Sequence, residues 1–286
     1  MTLFVNHLTH LDVSLWCPTR GLVGASWQVD VELDGELGED GMLFDFGEVK
    51  PWLKAHLDGS LDHTLLVPTR APGVTVQECR EGLAVRTTAP YPMEVRAPRQ
   101  AFTLLPWHAI GAERLAEHLA TELSRRPPAQ VSAIRLQLRD EAVEGAAYTY
   151  SHGLKRHAGN CQRIAHGHRS RLHVWQAGRR QPALEAEWAE RLADRYLVDA
   201  ADLVDPDEVP QYQAGYRSLQ AINYVADQGQ FYLRLPAERC VILPTPTTVE
   251  QIAAWLAERI ARETGQTTRV QAFEGIDKGA IAEALP

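Results

Sequence analysis

Two stretches of the chain alternate apolar and polar side chains with the two-residue period of a half-buried strand. In GASWQVDVEL (24–33), Trp27, Val29, Val31 and Leu33 share one face; in GHRSRLHVW (167–175), Leu172 and Val174 do. Each strand pattern is followed later by apolar residues at helical spacing. In AERLAEHLATEL (112–123) the stripe is Leu115, Leu119 and Leu123, and in VEQIAAWLAERI (249–260) it is Ile252, Leu256 and Ile260. Pro127 and Pro128 stop the first helix and Gly265 ends the second. A strand then follows each, VSAIRLQL (131–138) and TRVQAF (268–273). The same order at nearly constant spacing is most simply a duplicated α+β unit, residues 1–145 and 146–286, though any α+β chain can yield such coincidences. No flexible linker separates the copies; a turn at Glu144-Gly145 leads straight into a strand from Tyr148 to Leu154.

Composition narrows the setting. The chain has 286 residues, 45% of them hydrophobic and 23% charged, which suits a globular protein with room for two domains. It has no apolar run long enough for a membrane span. The opening MTLFVNHLTHLDV lacks the basic head and apolar core of a secretory leader, which predicts a cytoplasmic protein. The net charge of −8 argues against nucleic acid. Cys17, Cys79, Cys161 and Cys240 form no CxxC pair and are expected as free thiols.

The chemistry concentrates in SHGLKRHAGNCQRIAHGHRSRL (151–172). His166 and His168 are two apart and so point to one face of a strand, and Gly167 between them permits close approach. His152, in YTYSHGL, lies on a strand that can pair antiparallel with theirs. Three neutral imidazoles with an open fourth position are the pattern of a catalytic zinc ion, although a His-x-His pair taken alone is more often a surface feature of a basic loop. Cys161, flanked by Arg156, His157 and Arg163, sits where positive charge and a metal favour a thiolate. It also fits a buried small side chain or a fourth zinc ligand closing a structural site. In SLDHTLL (60–66), Asp62 beside His63 is either an acid–base pair or a turn dipeptide.

These segments, taken in order, resemble the 6-pyruvoyltetrahydropterin and 6-carboxytetrahydropterin synthase family. YTYSHGL, Cys161 and His166-Gly167-His168 are similar to its F-x-A-x-H-x-L … C … H-G-H signature. GMLFDFGEVK (41–50), SLDHTLL, PTTVEQIAAWL (246–256) and VQAFEG (270–275) resemble its other motifs. The resemblance implies two tandem tunnelling-fold modules, each an antiparallel sheet with helices on one face, assembling as a homo-oligomer. It implies zinc on His152, His166 and His168, with Cys161, Asp62 and His63 moving protons. It implies a dihydropterin substrate, 7,8-dihydroneopterin triphosphate, held by Glu274 (Glu141 in the first module), Thr247 and Thr248. Lys155, Arg156, Arg163 and Arg169 are candidates for the triphosphate.

The first module departs from the pattern. Its H-G-H position reads Val23-Gly24-Ala25, and its first ligand position falls on Val13. Cys17 matches the family's cysteine in spacing but has no metal beside it. His7 and His10 are out of register and are expected as ordinary strand or surface residues. The second module lacks the D-F-x-x-x-K and L-D-H motifs, and its EWAERLADRYLVDAADLVD stretch has diverged. One composite site per chain, assembled across an interface, accounts for both losses.

Overall fold

In the computed structural model, which describes residues 1–205 and 218–286, the chain builds the same arrangement twice. The first copy runs β1 (Thr2–Cys17), β2 (Gly21–Gly35), α1 (Phe46–Ser60), β3 (Leu65–Pro68), β4 (Val74–Cys79), β5 (Gly82–Thr87), β6 (Met93–Ala97), β7 (Phe102–Leu105), α2 (Ala112–Leu123) and β8 (Val131–Asp140). The second runs β9 (Ala147–His152), β10 (His166–Gln176), β11 (Arg179–Arg180), α3 (Pro182–Leu192), β12 (Arg195–Asp199), β13 (Leu203–Val204), β14 (Leu219–Ala226), β15 (Gly229–Pro236), β16 (Cys240–Leu243), α4 (Val249–Thr264), β17 (Thr268–Phe273) and β18 (Gly279–Ala284).

Two sheets follow one plan. The first has the order β7-β3-β1-β2-β8, and the second β16-β12-β9-β10-β17-β18, with β11 against β10. Neither is purely antiparallel, contrary to the sequence expectation. β3 joins β1 and β7 in parallel, and β12 joins β9 and β16 in parallel. The cause is strand order: β3 runs opposite to β2, which it follows by way of α1, but it lies on the far side of β1, and β12 does the same beyond β9, so each meets its neighbour in parallel. The stretch read as diverged therefore holds α3 and β12, the counterparts of α1 and β3.

The helices lie where their stripes put them. Leu115, Leu119 and Leu123 are buried against β1, β2 and β8, and Ile252, Leu256 and Ile260 against β9, β10 and β17. Burying a leucine or isoleucine contributes roughly 1.5–3 kcal/mol, which fixes each helix on its sheet. Asp45 caps α1 through Gly47 N (2.6 Å), and Thr248 caps α4. Gly265 closes α4 with φ +67°, a left-handed conformation that glycine adopts at little cost.

The two inserted hairpin regions join each other. β4–β6, from between β3 and β7, and β13–β15, from between β12 and β16, form one six-stranded sheet, β13-β14-β15-β6-β5-β4. The seam is β6 against β15, with Val95 opposite Leu233. Phe231, Leu233 and Leu235 pack there with Val85, Val95, Trp16 and Tyr196, so a shared core ties the copies together.

The copies also meet directly, about an approximate two-fold axis. Ser14 is paired with Gly24 as Ser151 is with Gly167, so these are equivalent positions. Ser14 Oγ and Ser151 Oγ are 2.6 Å apart and buried. A Cβ on Gly167 would lie 2.8 Å from Gly24 Cα, and one on Gly24 would lie 2.1 Å from Tyr150 O. Only glycine at both positions lets the backbones come this close. Among the described residues no helix is long and apolar enough to cross a membrane.

Candidate metal centre and active site

His152 and His166 face each other across the β9–β10 ladder, and His168 stands one pleat further along, opposite Tyr150. Their ring centroids are 4.4 Å (152–166), 5.3 Å (152–168) and 5.6 Å (166–168) apart. All three are at most 1% exposed. One nitrogen from each lies within 4.8 Å of the others. The outer nitrogens explain which ones. His152 Nδ1 is held by Thr247 O at 3.0 Å and its Oγ1 at 3.1 Å, and His166 Nδ1 by Arg163 O at 2.9 Å. His168 Nδ1 is 3.3 Å from Asp12 Oδ1, within ion-pair reach though not aligned as a hydrogen bond. The three Nε2 atoms are buried without a partner. Burial drives the pKa values of His152 and His166 far below the usual imidazole range, which keeps them neutral. A buried trio with three unpartnered Nε2 atoms fits a zinc ion, with an outer contact fixing each ring.

The acid–base candidates arrive from the other copy. His63 lies 5.0 Å from His166 and 6.2 Å from His168, centroid to centroid. Its Nδ1 is 2.6 Å from Asp62 Oδ2, and Cys161 Sγ lies within 4.8 Å of a ring nitrogen. Burial opposes the charged ring, but Asp62 and Cys161 outweigh it and push the His63 pKa up to about 10. His63 takes φ +58°, an unfavourable conformation for a side chain with a Cβ. It is held there by its N–H donating to Asp12 O (2.7 Å), while Asp62 Oδ1 accepts from Asp12 N (3.1 Å). Cys161 groups with His63 and His166 rather than with all three buried histidines. The composite arrangement thus forms within one chain.

Two stretches of the chain, 17–150 and 143–284, match the family model described as 6-pyruvoyl tetrahydropterin synthase. The chain belongs to the 6-pyruvoyl tetrahydropterin synthase family. It is 23% identical over 146 residues to a putative 6-carboxy-5,6,7,8-tetrahydropterin synthase of Pyrococcus horikoshii, covering 51% of this chain and 84% of that protein. A Pyrococcus abyssi protein of the same description is 24% identical over 148 residues, covering 50% and 83%. Among solved structures, a catalytic-residue mutant of Plasmodium vivax 6-pyruvoyltetrahydropterin synthase aligns with TM-score 0.41 and 17% identity, over 49% of this chain and 90% of that one. The Plasmodium falciparum synthase aligns with TM-score 0.38 and 15% identity, over 48% and 90%.

Register alters several equivalences within this tandem member of the family. Leu15, not Val13, pairs with Val23 as His152 pairs with His166, so Leu15 is the counterpart of His152. Cys17 is not the counterpart of Cys161: it sits on β1, paired with Gly21 across a tight turn, whereas Cys161 lies in the long connection from β9 to β10. Asp140, opposite Trp27, stands where Glu274 stands; Glu141 lies one residue on, with its carboxylate 2.7 Å from Arg171. His10 remains on β1, and His7 marks a bulge there.

The remaining candidates have structural partners. Thr247 orients His152, and Thr248 caps α4. Lys155 pairs with Asp202 at 3.1 Å. Arg163 is buried, donating to Asp62 O (3.1 Å) and Gln228 Oε1 (3.1 Å), and so ties the Cys161 loop to the Asp62-His63 turn. Arg169 donates to Glu141 O at 3.0 Å. Glu274 opens a turn closed by its own N–H donating to Lys278 O (3.0 Å), and Lys278 Nζ reaches Asp12 Oδ2 at 3.1 Å. Asp12 carried no signal in the sequence: it is one acidic residue on a long strand, and only folding brings it beside His168.

Proposed function

We propose that this protein is a zinc-dependent lyase acting on the side chain of 7,8-dihydroneopterin triphosphate, giving a 6-pyruvoyl or a 6-carboxy tetrahydropterin. The observation that carries the reading is the trio of unpartnered Nε2 atoms with His63 and Cys161 beside it. Zinc held by His152, His166 and His168 would supply a Lewis acid that lowers the pKa of the substrate's side-chain hydroxyls. Cys161 then takes a proton from the side-chain carbon. His63, kept protonated by Asp62 against the opposing effect of its burial, returns a proton, which separates the roles of base and acid. Glu274 accepts N–H donors of the pterin ring, a pairing that rejects rings without them. Lys155, Arg156 and His157 line a cavity of about 250 Å³ beside the β9–β10 connection, a place for the triphosphate. Assembly into a homo-oligomer in the cytoplasm belongs to the same proposal.

The site favours catalysis over a structural zinc because Cys161 does not complete a four-ligand set with the histidines. Elemental analysis of the protein and of His166→Ala, with turnover of dihydroneopterin triphosphate in parallel, tests the reading. About one zinc per chain, lost with activity in the variant, is expected. Zinc without turnover would leave a pterin-binding protein, and a protein without zinc would sink the proposal.

A further inference from the structure

One residue of the first copy joins a histidine of the trio to the Asp62-His63 turn. Asp12 is 4% exposed. Its Oδ1 is 3.3 Å from His168 Nδ1 and accepts from Ser26 Oγ at 2.5 Å; its Oδ2 is 3.1 Å from Lys278 Nζ. Its backbone N–H and C=O hold Asp62 and His63, as described above. The turn that begins at Glu274 docks on the same residue. A Cβ on Gly275 would lie 2.6 Å from Asp12 Oδ1 and 2.9 Å from Ser26 Oγ, and Gly275 N donates to Ser170 Oγ at 3.0 Å. Four elements from two copies therefore converge on one buried carboxylate: β1, β2, β10 and the turn between β17 and β18.

We infer that Asp12 is the positioning residue of the centre, supplying from the first copy the outer partner of the third histidine of the second. The three histidines need three outer partners to present Nε2 inward, and two have backbone carbonyls of their own copy, Thr247 O and Arg163 O. His168 has no such carbonyl, and the only group that the structure places at its Nδ1 among the described residues is Asp12. A carboxylate there fixes the tautomer and makes the imidazole a better donor to a cation. Lys278 and Ser26 in turn fix the carboxylate, so the Glu274 turn and the metal ligand share one anchor. Asp12 touches neither substrate nor metal; it acts through His168.

This inference rests on zinc binding at the histidines. Its test is zinc affinity, measured by chelator competition on the full chain, for the parent protein and Asp12→Asn. Asn keeps the size and the backbone contacts to Asp62 and His63 but removes the charge. A 10- to 100-fold weaker affinity is expected. In the zinc-loaded protein the Nδ1–H resonance of His168 should move in Asp12→Asn while those of His152 and His166 stay. A general loosening of the fold would move all three. Lys278→Met, on a half-exposed side chain, should move the same single resonance if Asp12→Asn folds poorly. Equal affinity and an unmoved His168 resonance would overturn the role of Asp12. A parent protein that binds no zinc would instead overturn the function proposed above.

Discussion

The approximate two-fold axis gives this chain two equivalent ends, and only one carries the histidine chemistry. At the proposed active end stand His152, His166, His168 and, from the opposite copy, His63. At the other end the same positions hold Leu15, Val23, Ala25 and, from the opposite copy, Asp194. The backbone is kept to a fine level. His63 and Asp194 both take a left-handed conformation, at φ +58° and +55°. Their N–H groups donate to equivalent carbonyls, Asp12 O at 2.7 Å and Thr149 O at 2.8 Å. What changed is the side-chain chemistry. Arg20 donates to Asp194 from Nε at 2.9 Å and Nη2 at 2.6 Å, an ordinary ion pair where the active end has an imidazole. Ile110 and Gly111 precede α2 where Thr247 and Thr248 precede α4, so the hydroxyl that helps hold His152 has no counterpart there. A cavity of about 480 Å³ remains, lined by Leu15, Val23, Ala25, Trp27, Asp140 and Arg20 among others. The shape of a site survives at this end without the donor atoms that a metal needs.

The axis itself should give the largest effect. Gly24→Ala puts a methyl 2.1 Å from Tyr150 O and 2.6 Å from His168 N, and Gly167→Ala puts one 2.4 Å from Tyr150 O. Backbone atoms cannot swing aside, so each substitution should cost about 3 kcal/mol or more. Thermal melts should show similar losses at the two positions if the axis is real. Zinc affinity separates them: Gly24→Ala presses on the backbone of His168 and should weaken zinc more. Melts and zinc binding unchanged from the parent protein in both variants would mean that the contact is not made.

Next in size is the paired change Asp62→Asn and Asp194→Asn. Loss of the carboxylate beside His63 should lower turnover by roughly 10²-fold or more. The Asp194 change breaks the Arg20 pair, whose arginine is 53% exposed, and should cost at most about 1 kcal/mol with turnover unchanged. Turnover that fell in both variants would show that the second end also takes part.

The His63 pairing also predicts a pH dependence in the metal-free protein. A folded-state pKa raised to about 10 from the usual 6.5 contributes stability that is complete below about pH 6.5 and is lost as pH rises through about 10. Urea melts of the parent should therefore weaken across that window relative to Asp62→Asn. Parallel curves would show that Asp62 does not hold the proton on His63.

The comparison also explains what could be read from the chain. The strand and helix patterns of both copies were legible because each element carries its own period, and α2 and β17 fall on the bounds expected for them. The histidines, Cys161 and Asp62-His63 were legible as motifs, and folding brings them together. The third sheet was not legible, because β6 meets β15 over a long separation and its strands carry no motif. The misplaced equivalences, Val13 for Leu15 and Glu141 for Asp140, are errors of register. Pairing between strands sets register: the one-residue slip to Glu141 turns a side chain to the other face, and the two-residue slip to Val13 keeps the face but moves it one pleat along. Asp12 was missed for a related reason: its meaning lies wholly in the contact between copies.

The smallest expected effect concerns the two cysteines that sequence spacing equated. Cys17 lies at the end of β1, half-buried, with Thr19 Oγ1 at 3.4 Å. It has no histidine beside it, so Cys17→Ser should change stability by less than about 0.5 kcal/mol and leave turnover alone. Cys161→Ser is the sharper half of the pair. If the thiol moves a proton next to His63, turnover should collapse while zinc stays bound at parent affinity, because the three histidines alone hold the metal. A fall in zinc affinity would instead make Cys161 a fourth ligand and close the site. Measuring zinc and turnover together on both serine variants therefore decides whether the two ends differ only in chemistry or also in what holds them together.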